Sequence, residues 1–353
     1  TVDGIKVGVI GLTTEETPAV TKPSDVAGLE FRSGAAAMNE WVPKLRAQGA
    51  DFVIVVAPSG AECDRDFTRC TGEMVDWAKQ VTHKPDLIVA GHTHRLVRWV
   101  ENGIPIVEAA SYSTRYGVTD LVKDSTGVRA WIRGFPVTYV DRVQPTPQIT
   151  QLVQRYQREI GPQVSRVIAT LTEDVRRAGP DSPLGNLIAD AYRASAKAQV
   201  SFVNNGGIRT SELPAGPVTW GQLYSLQPFE NRMVRLTMTG AAIKNVVEQA
   251  VSGDSPAMHV GGMQVTYKSS APAGQRVQRI VLSNGEEVRT DATYTVGVPD
   301  FLAQAGDGYR GFADATGNVD AGVRDLEGLI NYLQSLPQPV RVDQSERRFI
   351  VVP

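Results

Sequence analysis

Sulfur and imidazole are scarce in this chain. Its 353 residues include two cysteines and four histidines. Cys63 and Cys70 stand in one polar loop. They either close a small bridge, which favours an exported protein, or remain two free thiols. Excess charge of one sign is lacking too: 36 basic and 38 acidic residues give a net charge of -2, with no long single-sign block. That argues against nucleic acid as a partner, which needs clustered lysine and arginine. No run of about 18 apolar residues occurs, so no membrane-spanning helix is expected. The chain has neither an initiator methionine nor a signal peptide, and Thr1-Val-Asp-Gly leads straight into a core strand. It reads as a fragment or a processed form.

What is present is ordinary globular composition, 42% hydrophobic and 21% charged, with length enough for two or three domains. Two of the four histidines sit in one stretch, Asp86-Leu-Ile-Val-Ala-Gly-His-Thr-His94. An apolar strand running into Gly91 places His92 and His94 at its C-terminal end, where open α/β sheets hold ligands. Imidazole is the commonest protein ligand for zinc, manganese and iron. Around this stretch, Ile5–Gly11 and Asp51–Ala57 read as further apolar strands. Ser33 is placed to cap a helix running to about Gln48, and Met74, Ala78 and Val81 recur at helical spacing. Strand, helix, strand in this order predicts a parallel βαβ unit. Beyond the histidines, Asn102-Gly103 predicts a hairpin turn, followed by strands near Val118–Val122 and Val128–Tyr139. This part reads as a β-rich layer attached to the α/β layer.

Gln144-Pro-Thr-Pro147 breaks the chain, and Ile149, Leu152, Val153 and Tyr156 then mark an amphipathic connecting helix. A second α/β pattern follows. Asp181 or Ser182 caps a helix with Pro183 in its first turn. A strand at Val200–Val203 leads to Asn204-Asn-Gly-Gly-Ile-Arg209. Paired glycines, Gly207 among them, let backbone approach a ligand closely, and guanidinium suits phosphate, carboxylate or sugar oxygens. Pro228-Phe229-Glu-Asn231 and Asp300-Phe301 through Tyr309 each set an aromatic beside turn-forming residues. Two such aromatics can sandwich a nucleobase, worth about 1–3 kcal/mol per base, although from physics alone a core role for either phenylalanine is the stronger reading. Asp307, between glycines, can accept hydrogen bonds from ribose hydroxyls.

Together these motifs resemble the bacterial 5′-nucleotidase family, which includes UDP-sugar hydrolases, 2′,3′-cyclic phosphodiesterases and the animal ecto-5′-nucleotidase. The resemblance rests on Gly91-His-Thr-His94, Leu184-Gly-Asn-Leu-Ile-Ala-Asp190, Asn204 through Arg209, Gln227-Pro-Phe229, Leu236-Thr-Met-Thr-Gly240 and Phe301 through Gly308, in that order. It implies a mixed α/β protein: the C-terminal part of a metallophosphatase α/β/β/α sandwich over 1–143, a linker helix or hinge over 144–162, and a 5′-nucleotidase C-terminal substrate domain over 163–353. It further implies two divalent metals such as zinc or manganese, with His92 and His94 as ligands. Arg177, Asn204, Gly207 and Arg209 would hold the nucleotide, Phe229 and Phe301 the base, Asn231 the same pocket, and Asp307 the ribose. A nucleotide or nucleoside is then the partner, and the periplasm, secretion or the cell surface the location.

The sequence also departs from the family. With histidines only at 83, 92, 94 and 259, the family's Asp-x-His and Gly-Asn-His motifs are absent, and no Gly-Asp motif stands ahead of His92. The chain is therefore expected to begin inside the family's first domain. Where a further histidine is expected, the chain reads Ala57-Pro58-Ser59-Gly60, and proline cannot ligate a metal. The family's two-metal mechanism needs a bridging carboxylate and several ligand loops. The expectation is a nucleotide phosphomonoester hydrolase that is weak or inactive as this chain stands, with no catalytic residue of its own. The alternatives are a nucleoside-binding protein that has lost catalysis, or a phosphodiesterase acting on UDP-sugars or cyclic nucleotides.

Overall fold

The computed structural model describes residues 1–125, 127–179, 181–313 and 315–352. The chain divides into two compact units, Thr1–Pro18 with Gly28–Thr146, and Ala19–Ala27 with Pro147–Pro353.

The first unit is built on a five-stranded sheet in the spatial order Val7–Gly11, Phe52–Val56, Leu87–Val89, Ile104–Ala109, Leu96–Glu101. The first four strands are parallel, and the last pairs antiparallel through the Asn102-Gly103 turn. Both turn residues have positive φ, 52° and 76°, the geometry that favours Asn-Gly in a two-residue hairpin. Asn102 Nδ2 also donates to the carbonyls of Ala78 and Val81, which ties the turn to the end of a helix. The hairpin does not form a separate layer, as its sequence suggested. Ile88 faces Ile106 in register, so the hairpin extends the parallel sheet. The reason is burial: Ile104, Ile106 and Val107 are all buried, and adjacent buried residues need cover on both faces of the strand. Only Val118–Asp124 and Gly127–Gly134 form a ribbon of their own, the second strand ending at Gly134 ahead of Pro136 rather than reaching Tyr139.

Helices Gly34–Ala47 and Glu73–Gln80 supply Met38, Val42, Met74 and Val75 to this core. Ser33 does precede the first helix, but its side chain makes no capping hydrogen bond. Cys63 and Cys70 are joined in a disulfide between two short paired strands.

In the second unit, helix Pro147–Val164 has no buried residue, so the predicted apolar stripe lies at the surface. The sheet that follows runs Met258–Gly261, Val200–Asn204, Thr293–Pro299, Arg232–Thr239, Thr316–Arg324. The 200–204 and 293–299 strands are parallel; 232–239 runs against both 293–299 and 316–324. Five chain segments therefore meet at one edge: those leaving 204, 299 and 324, and those entering 232 and 258. Helix Pro183–Ala196 packs beside this sheet, with Ser182 Oγ accepting from the Gly185 N–H as its N-cap. Gly185 has no freedom to become anything larger, because a Cβ there would lie 2.1 Å from the His259 ring. A second sheet of Met263–Lys268, Val277–Leu282 and Phe349–Val352 completes the unit.

Candidate functional site

Topology gathers most of the sequence-predicted site residues at that one sheet edge. Asn204 ends its strand almost wholly buried, and its Nδ2 donates to Asp307 Oδ2 at 2.7 Å. Gly207 lies against the same side chain, where a Cβ would be 3.0 Å from Asn204 Oδ1. Asp307 itself has a φ of 54°, a left-handed conformation that aspartate tolerates better than most residues. Burial pushes the Asp307 carboxyl up, and the Asn204 hydrogen bond partly offsets this.

Arg209 places its guanidinium over the Phe229 ring, 5.5 Å from the centroid, a cation–π contact. Its Nη1 donates to Gly206 O at 3.3 Å, and its backbone N–H to Leu226 O. Arg177, reached from the short strand Val175–Arg176, donates from Nη1 to Ile208 O at 2.7 Å. Burial, and then the like charge of Arg209, lower the Arg177 pKa. Among the described residues, neither arginine has a carboxylate within ion-pair distance. Two neighbouring guanidiniums with unspent donors form a site for an anion.

Phe229 is exposed, whereas Phe301 packs over Gly306, where a Cβ would lie 2.6 Å from its ring. The two aromatic loops are linked through Asp300. Its Oδ1 accepts from the Arg232 N–H at 3.2 Å and its Oδ2 from Lys22 Nζ at 2.8 Å. Asn231 lies between them, held by Asp325: its N–H and Nδ2 both reach Asp325 Oδ2, at 3.2 and 3.0 Å.

The histidine pair has a different setting. His92 and His94 follow the Leu87–Val89 strand with φ of 76° and 58°, and both are exposed. His92 Nε2 is 3.8 Å from Glu16 Oε2, and the His94 ring meets Tyr112 edge-on at 5.6 Å. Between them Thr93 turns inward, donating to the buried Glu108 Oε2 at 2.6 Å and to Ala61 O. The loop carrying Pro58 is fixed by Ser59, whose hydroxyl donates to Glu73. Among the described residues, no group of three or more His, Cys, Asp or Glu side chains gathers as a metal site. Two histidines do not match the ligand set of a two-metal centre.

Sequence reasoning missed Asp300, Asp325 and Glu108. Asp325 opens helix Asp325–Ser335, where an acidic residue reads as ordinary dipole compensation. Nothing local signals its bond to Asn231, 94 positions away.

The class is a mixed α/β protein in which residues 167–314 match the family "5'-nucleotidase, C-terminal domain". The whole chain is similar to members of the 5′-nucleotidase family. The Vibrio cholerae 5′-nucleotidase is 26% identical, matching 94% of this chain and 67% of its own length. A 5′-nucleotidase precursor from Thermus thermophilus superposes with a TM-score of 0.81 at 26% identity, over 99% of this chain and 73% of that one. Endonuclease YhcR of Bacillus subtilis is 31% identical over 98% of this chain, which spans only 28% of that protein. For two further curated relatives the share is 47% and 24%. No helix among the described residues is long and apolar enough to cross a membrane.

Proposed function

We propose that this chain recognises nucleoside 5′-phosphates through its second unit and supplies part of a metal-dependent 5′-nucleotidase. In this reading Arg177 and Arg209 hold the phosphate, with the Asn204–Gly207 turn beside them. Phe229 and Phe301 flank the base, Asn231 meets its edge, and Asp307 takes the ribose hydroxyls. His92 and His94 are metal ligands of the intact catalytic centre. As it stands the chain hydrolyses nucleotides weakly or not at all, because two histidines cannot hold two metals around a bridging carboxylate. The single observation that carries the reading is the pair of arginines left, among the described residues, without a carboxylate beside an exposed aromatic. The Cys63–Cys70 disulfide supports a periplasmic, secreted or cell-surface location, where such bonds persist.

The test is calorimetric titration of adenosine and AMP in the presence of chelator, alongside Phe301→Ala. Saturable binding that the substitution weakens about tenfold, the scale of one lost base stack, is the expected outcome. Absence of binding in a protein shown to be folded would overturn the reading.

A further inference from the structure

The loop bearing Phe229 is clamped from beneath at both ends by buried polar groups. At one end Gln227, itself buried, donates from Nε2 to the Tyr192 hydroxyl at 2.5 Å. At the other end stands Asp325, fully buried at the head of its helix. Its Oδ1 accepts from the Leu326 N–H at 2.8 Å, and its Oδ2 takes both Asn231 donors. The Asp325 N–H in turn donates to Asn231 O at 2.9 Å. Between the clamps, Glu230 has a φ of 53°.

The chemistry of this pair fixes more than position. A carboxylate can only accept hydrogen bonds, so the amide nitrogen of Asn231, and not its oxygen, must face Asp325. The Asn231 carbonyl Oδ1 is therefore turned to the other side, with no partner among its described contacts. Asn231 stands two residues after Phe229 and next to Arg232, which is bonded to the residue preceding Phe301. It thus sits where the two aromatic loops meet.

We propose that Asp325 is a positioning residue for base selection: by fixing the Asn231 amide it presents a carbonyl acceptor, so the site favours bases with an N–H donor on their pairing edge. The proposal rests on the nucleoside reading given above. Burial raises the Asp325 carboxyl to about 6. The other groups bearing on it are Asp300 from the Phe301 loop, whose negative charge pushes it the same way, and Tyr192, which burial holds protonated. Once protonated, Asp325 can donate, and the Asn231 amide is free to reverse.

Adenosine and purine riboside, which lacks the 6-amino group, are titrated into the folded chain in chelator. The native protein is expected to bind adenosine about three- to tenfold tighter, the worth of one hydrogen bond. In Asp325→Asn that ratio falls toward one, whereas a merely structural role would weaken both nucleosides equally. If the variant fails to fold, the native protein carries the test: the ratio narrows as pH falls from 8 through about 6. Equal affinity for the two nucleosides, or a ratio indifferent to both the substitution and pH, overturns the proposal alone. Binding of neither nucleoside overturns the nucleoside reading and this proposal with it.

Discussion

Both units end their strands in polar loops, yet they spend those polar groups in opposite ways. In the first unit the carboxylates are consumed internally. Glu73 accepts from Thr14, Glu15 and Ser59, and the buried Glu108 accepts from Thr93 and the Arg95 N–H. Glu15 likewise accepts from Trp77 and the Gly34 N–H. In the second unit the acids at the sheet edge are also held, but among the described residues the guanidiniums of Arg177 and Arg209 are left without them. A loop cluster whose donors and acceptors are mutually satisfied is a scaffold. One with unspent cationic donors beside an exposed ring is a receptor, because those donors remain open to the oxygens of an anionic ligand.

The largest expected effect concerns a histidine buried in the receptor unit. His259 is 1% exposed and accepts from the Ser182 N–H at its Nε2, with the Ser182 hydroxyl 2.9 Å away. Burial, reinforced by the positive charges of Arg177 and Arg348, lowers its pKa from 6.5 to about 4. Below 6.5 the unfolded chain takes up a proton that the folded chain refuses, so this contribution to stability is lost between pH 6.5 and about 4. The full loss is about 3 kcal/mol. Asp325 acts with the opposite sign. Its folded pKa of about 6 lies above the ordinary 3.8, so acidification through this range favours the fold. His259→Gln should therefore lose about 3 kcal/mol less stability than the native chain between pH 7 and pH 4, read by urea unfolding. Identical pH slopes would contradict the buried neutral imidazole.

Next is the receptor's cationic pair. Arg209→Ala should weaken AMP binding about 10- to 100-fold, the range for a hydrogen bond to a charged group, while adenosine changes far less. Equal losses for the two ligands would place Arg209 on the nucleoside rather than the phosphate. The scaffold side is probed by Glu108→Ala, which leaves the Arg95 N–H without its acceptor and the Thr93 hydroxyl with Ala61 O alone. A cost of about 1–3 kcal/mol is expected, with nucleoside binding in the other unit unchanged in calorimetry. The smallest contrast lies in the helix caps. Thr219 forms a complete capping box with Gln222, so Thr219→Ala should cost about 1 kcal/mol. Ser33 caps nothing through its side chain, and Ser33→Ala should stay within about 0.5 kcal/mol in the same unfolding measurement.

Much of this was legible locally. The apolar runs at Phe52–Val56 and Val200–Asn204, the Asn102-Gly103 turn and the helix opening at Pro183 each carry their own signal over a few residues. So does the list of chemical groups: Asn204, Arg209, Phe229, Phe301 and Asp307 stand in polar, glycine-bearing turns. Less legible were the sheet to which the hairpin belongs, the exposure of helix Pro147–Val164, and the choice of Ser182 over Asp181 as cap. Asp181 is instead committed at long range, accepting from the Arg348 and Phe349 N–H groups.

The sequence by itself determined which residues turn, which strands are buried, and which side chains bring charge or an aromatic face. Those properties depend on neighbours within a turn or two of the chain, where backbone preference and hydrophobic period act. Tertiary structure alone decided that Asn204 meets Asp307, that Asp300 joins the two aromatic loops, and that Asp325 orients Asn231. These pairs are 103, 68 and 94 positions apart, and no local preference encodes a partner at that distance. They exist because strand order and direction bring five segments to one sheet edge, where side chains distant in the chain become neighbours.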